Sequence, residues 1–120
     1  MKHQRGFTLI EVLVTIAIIG IMSGIGVMSY KTVNEKARNS RREADVQQIR
    51  SALEMYKTKE NRYPLTGNWG NDLTPYLSGK KIQDPKGGDY TYVYNSADGS
   101  TYTITYYLEP DKKEVTVQNP

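Results

Sequence analysis

The sequence predicts an α+β fold in which a long N-terminal helix packs against a small C-terminal antiparallel sheet of about three strands. Three observations carry this. An apolar run extends from Phe7 to Tyr30, a helical repeat of apolar residues follows it toward Arg62, and tyrosine- and threonine-rich runs separated by turn residues begin at Tyr90. At 120 residues the chain has room for one small domain. It has no cysteine and one histidine, His3, which excludes disulfide scaffolds, thiolate zinc sites, cysteine nucleophiles and most histidine acid/base chemistry.

The average composition, 38% apolar with a formal charge of +3, hides a division. The 24 residues from Phe7 to Tyr30 hold 16 apolar residues and a single charge, Glu11. As a helix they would span roughly 36 Å, enough for a hydrocarbon core of ~30 Å. Twelve Phe, Leu, Ile and Val residues favour insertion by roughly 4 to 7 kcal/mol in total, against about 2.5 to 3.5 kcal/mol for an acid at mid-membrane. Glu11 lies near one end, where the cost is smaller, so insertion wins. The run is longer than a secretory signal and has no A-x-A site after it. The Lys/Arg count alone would keep the C-terminal side in the cytoplasm, since Lys31, Lys36, Arg38, Arg41 and Arg42 outnumber Lys2 and Arg5.

The start of the chain is more specific. Lys2-His3-Gln4-Arg5-Gly6-Phe7-Thr8-Leu9-Ile10-Glu11 resembles the leader of type IV pilins and type II secretion pseudopilins: a short basic stretch ending in Gly, then Phe-Thr-Leu-Ile-Glu, then a long apolar helix. The resemblance implies cleavage between Gly6 and Phe7 by a membrane prepilin peptidase, N-methylation of the Phe7 amine, and an N-terminus on the cytoplasmic side. It would leave a mature chain of 114 residues with a charge of +1, because Lys2 and Arg5 depart with the leader. Glycine suits the scissile position because it lets a protease approach the carbonyl closely. Cleavage would create a positive amine at Phe7, and Glu11 lies one helical turn on. An acid in apolar surroundings needs a cation, and in the resembling family that cation is the Phe7 amine of a neighbouring subunit. Thr8-x-x-Glu11 also fits a local capping box, and the two roles are compatible.

Gly20, Gly24 and Gly26 cost roughly 1 kcal/mol each in helix propensity. Gly20-x-x-x-Gly24 matches the small-residue spacing that lets helices approach closely in lipid, although glycine is common in membrane helices anyway. The family's N-terminal helix loses order over a stretch near here on assembly, and Met28 stands about where many members carry proline.

From Lys31 to about Arg62 a polar helix is expected, with a stripe of Val46, Ile49, Leu53 and Tyr56 extended to Tyr63, thinning through Ala44 to Ala37. Pro64 is expected to end it. A continuous helix from Phe7 would measure roughly 80 Å. Ala37-Arg38, Ala44-Asp45, Ile49, Ala52-Leu53, Tyr56 and Tyr63-Pro64 resemble the frame of major pseudopilins, with Asn61-Arg62 where relatives often place glycine.

Residues 65–89 read as loop, with one helical turn over Asp72–Leu77 capped by Asp72. Trp69, Leu73, Tyr76 and Leu77 should cover one end of the core. Tyr90–Tyr94 and Tyr102–Leu108 read as strands joined through the Asp98-Gly99 hairpin signal, with Glu114–Gln118 as a third. Alternating Tyr and Thr suits a sheet with one wet face.

Asp84, Asp89 and Asp98 fall in a region where major pseudopilins can bind calcium. Calcium needs ~6 to 8 oxygens, and the family's close run of Asp and Gly is missing, so turn chemistry is the default and no cofactor is expected. Lys36, Arg38, Arg41 and Arg42 interleave with acids and read as a solvated helix face rather than a nucleic-acid site. For the tyrosines and Trp69, core packing outweighs carbohydrate stacking.

The resemblance implies a structural subunit, not an enzyme. Residues 1–6 would be a leader, 7–30 a transmembrane and filament-core helix, and 31–120 a periplasmic or extracellular head. The implied partners are further copies of the chain in a helical filament, prepilin peptidase, an assembly platform with its ATPase, and the cytoplasmic membrane. A type II secretion pseudopilus is favoured. The alternatives are a DNA-uptake pilin and an uncleaved single-pass membrane protein with a binding head.

Overall fold

The computed structural model describes residues 6–120, so Lys2, His3 and Arg5 lie outside the described residues. Helix α1 (Leu9–Glu60) is followed by the short helix α2 (Trp69–Asp72), a 3-10 turn (Thr74–Tyr76) and strands β1 (Val93–Asn95), β2 (Thr103–Leu108) and β3 (Lys113–Gln118). The chain divides into two compact units, Met1–Asn34 and Glu35–Pro120.

In the first unit the apolar side chains of α1 have no cover among the described residues. Phe7, Leu9, Ile10, Val12, Ile16, Ile21 and Val27 are all more than half exposed. Thr15 and Ser23 turn their hydroxyls back onto the carbonyls of Glu11 and Ile19, at 2.6 and 2.7 Å. Both hydroxyls are thereby satisfied within the helix.

In the second unit Val46, Ile49 and Leu53 are buried as the helical period predicts, with Ala52 beside them and Tyr56 packed at the edge. The stripe does not thin out through alanines: Ala37 and Ala44 are exposed, and Arg42 and Asp45 are buried instead. The helix also stops before proline can act. Asn61 adopts φ +57° and its N–H donates to the Lys57 carbonyl at 2.8 Å, an αL cap that asparagine tolerates.

The expected turn over Asp72–Leu77 splits in two. A turn of helix ends at Asp72 and Pro75 opens the 3-10 turn, while Leu73 between them is fully buried and Asp72 caps neither. The sheet is the expected meander, ordered β1-β2-β3 and antiparallel throughout, with Tyr94 opposite Ile104 and Ile104 opposite Val117. Along β2 the burial alternates, Ile104 and Tyr106 inward and the threonines outward.

Strand β1 is shorter than its β-rich sequence suggests. Tyr90 and Tyr92 precede it and turn to α1: the Tyr92 hydroxyl donates to Asp45 at 2.8 Å, and the Tyr90 ring lies 4.7 Å from the Arg42 guanidinium carbon. The Asp98-Gly99 turn forms, with Gly99 at φ +79° and its carbonyl accepting from Tyr63 N–H at 2.8 Å. A Cβ there would meet the Tyr63 oxygen at 3.0 Å, so both conformation and space require glycine. The core between helix and sheet is largely aromatic. Trp69 stacks on Tyr94 at 5.2 Å, Tyr94 on Tyr102 at 6.0 Å, and Tyr63 meets Tyr102 edge-on at 4.7 Å.

Candidate functional site: the helix start and a buried ion cluster

Two groups of polar and charged side chains stand out, one in each unit. At the start of α1, Glu11 Oε2 accepts from Thr8 N–H at 2.7 Å and from Thr8 Oγ1 at 2.8 Å, while Thr8 Oγ1 lies 3.3 Å from Glu11 N–H. This is the reciprocal capping box. Glu11 Oε1 accepts no hydrogen bond among the described residues, so the carboxylate keeps half of its acceptor capacity. Gly6, Gly20 and Gly24 have nothing within 4 Å of where a side chain would begin.

In the second unit Lys36 and Arg41 are exposed, as a solvated helix face requires, but Arg38 and Arg42 of the same basic run turn into an ion cluster. Arg42, fully buried, donates through Nε and Nη2 to the two oxygens of Asp84 at 2.6 and 3.0 Å, and through Nη2 to Glu109 at 2.9 Å. Arg38 forks onto Glu109 at 2.7 and 2.6 Å, and Lys86 reaches the same carboxylate at 3.2 Å. Asn39 brackets the backbone of Glu109, donating to its carbonyl and accepting its N–H, both at 2.9 Å. Three cations thus surround two carboxylates whose side chains are only 2 to 3% exposed.

The charges are mutually stabilised. The Arg38 hydrogen bonds, supported by Arg42 and Lys86 against the opposing effect of burial, hold the Glu109 carboxyl down to about 2. Burial raises Asp84, but Arg42 and the N–H groups of Lys86 and Gly87 outweigh it and leave its carboxyl below the usual range. Arg42 is raised, first by Asp84.

Two family profiles cover almost the whole chain: "Prokaryotic N-terminal methylation motif" matches residues 1–27, and "Type II secretion system (T2SS), protein G" matches residues 29–119. The chain belongs to the type II secretion protein G family. Similar proteins match most of the chain or only about half of it. The type II secretion system core protein G of Klebsiella pneumoniae is 35% identical over 92% of this chain and 88% of its own length. That of Dickeya chrysanthemi is 38% identical over 88% and 78%. The Pectobacterium carotovorum protein of the same name is 43% identical over 64 residues, 53% of this chain and 41% of that relative. No solved structure matches. This pseudopilin family is a structural one.

The loop carboxylates Asp84, Asp89 and Asp98, in the region where the resembling pseudopilins can bind calcium, are not arranged for that metal here. All four carboxylate oxygens of Asp84 and Glu109 already accept from Arg, Lys or backbone donors. Asp98 binds its own turn, taking Ser100 N–H at 3.0 Å and Ser100 Oγ at 2.7 Å, and Asp89 is exposed. No group of three potential metal ligands converges among the described residues.

Glu109 is the residue that sequence reasoning missed. It reads as an ordinary acid before Pro110. The signal lay in Arg42, which precedes Val46, Ile49 and Leu53 in the same helical register. A charge in a core stripe demands a buried partner.

Proposed function

We propose that this chain is the precursor of a pseudopilus subunit, cleaved after Gly6, methylated at Phe7 and assembled through the first half of α1. Residues 7–30 span the cytoplasmic membrane with the N-terminus inside, and residues 31–120 form the outer head. The observation that carries this reading is an apolar helix, uncovered among the described residues, that begins at a Gly-Phe junction and carries one acid a turn later. Its most apolar window has a mean hydropathy of 2.3 and meets the length and composition of a membrane span.

In the filament other copies of this helix replace lipid, and Gly20 and Gly24 allow close approach. Glu11 pairs with the Phe7 amine of the adjacent subunit through the oxygen that the capping box leaves open. Prepilin peptidase, an assembly platform and its ATPase are the partners this route requires. The capping box supports a second, local role for Glu11, in starting the helix.

Co-expression with a prepilin peptidase followed by intact mass tests the proposal. Loss of residues 1–6 with gain of one methyl is expected, and an unprocessed chain overturns it. Glu11→Gln should be processed but fail to enter filaments. Normal filaments from that variant would reduce Glu11 to its capping role.

A further inference from the structure

We propose that Arg38, Arg42 and Lys86 form an internal cationic clasp that does the work of a divalent cation, so that the head folds and holds its C-terminal loops without calcium. The inference stands on the occupied donor set and needs neither cleavage nor filament assembly.

The clasp joins three segments that lie far apart in the sequence. Helix α1 supplies Arg38, Asn39 and Arg42. The loop before β1 supplies Asp84 and Lys86, and the turn between β2 and β3 supplies Glu109. Asp84 is anchored twice more, accepting Lys86 N–H at 2.8 Å and Gly87 N–H at 3.3 Å through Oδ1. Calcium would have to displace a guanidinium from a bidentate pair and then find ~6 to 8 oxygens. It would also approach three fixed positive charges offset by only two negative ones. Both terms oppose entry. The Tyr90 ring reinforces the arrangement, with the Arg42 guanidinium carbon 4.7 Å and Lys86 Nζ 4.4 Å from its centre.

Thermal melting of the full chain in detergent micelles, followed by circular dichroism, tests the clasp. Melting points in millimolar calcium chloride and in excess EGTA should coincide. A head held by calcium at a hundredfold excess over its dissociation constant would melt roughly 10 °C or more higher with the metal. Such a shift overturns the inference. Lys86→Met removes one cation at a half-exposed position where the fold should survive. Its melting point should fall in both buffers, and Lys86→Arg should restore it. If Lys86→Met melts as the parent does, the cation holds nothing and the clasp is refuted.

Discussion

The two halves of α1 obey opposite rules. From Phe7 to Val27 the helix leaves its apolar side chains uncovered, whereas from Arg42 to Leu53 it buries a narrow stripe to 0 or 1% exposure and even encloses an arginine. Each half is correct for its surroundings. The first half resembles an unpartnered membrane helix, in which stability and specificity must come from outside the chain. The second half gains its stability from its own sheet and loops. Substitutions in the first half should therefore alter insertion and assembly, and those in the second should alter folding.

The largest effect should come from Arg42→Leu. It leaves Asp84 without its main partner and weakens the setting of Glu109, and breaking such a buried pair costs about 3 to 5 kcal/mol. Denaturant unfolding of the full chain in micelles measures it. A pair of leucine truncations sharpens the contrast between halves. Leu53→Ala should destabilise the head by about 2 to 5 kcal/mol, while Leu13→Ala, half exposed, should leave head unfolding within about 0.5 kcal/mol.

Acid gives a smaller, graded effect. Because the folded Glu109 carboxyl is held at about 2, below its ordinary 4.5, its contribution is fully present above that ordinary value and is lost as pH falls toward 2. Melting points of the parent should drop across this window, and Glu109→Gln should flatten that part of the profile. Smallest is Gly99→Ala, which forces a side chain into the left-handed region against the Tyr63 carbonyl and should cost about 1 to 2 kcal/mol.

What the sequence revealed followed from how local the cause was. The stripe through Val46, Ile49 and Leu53, the Asp98-Gly99 hairpin and the Thr8/Glu11 box each depend on residues a few positions apart, and their periods or pairs are visible directly. The early end of α1 was also local, but glycine is the usual αL stop, so Asn61 gave a weaker signal than Pro64. The ion cluster was not legible, because Arg42 meets Asp84 and Glu109 across 42 and 67 positions. Turn residues in such positions look alike until the topology gathers them. The shortened β1 has the same origin, since Tyr90 and Tyr92 fit a strand locally but are drawn to Arg42 and Asp45 on the helix.

The stack of Trp69 on Tyr94 and Tyr102 gives this chain an internal optical reporter. Trp69 is its sole tryptophan, and nine of the ten tyrosines belong to the head, at Tyr56 or between Tyr63 and Tyr107, with Tyr30 the only one in the apolar half. Light absorbed by these tyrosines can pass to the indole over such short separations, so indole emission excited through tyrosine follows the integrity of the head and is nearly blind to the membrane half. One spectrum can thus watch the head through the proposed transfer of the apolar helix from lipid into a filament.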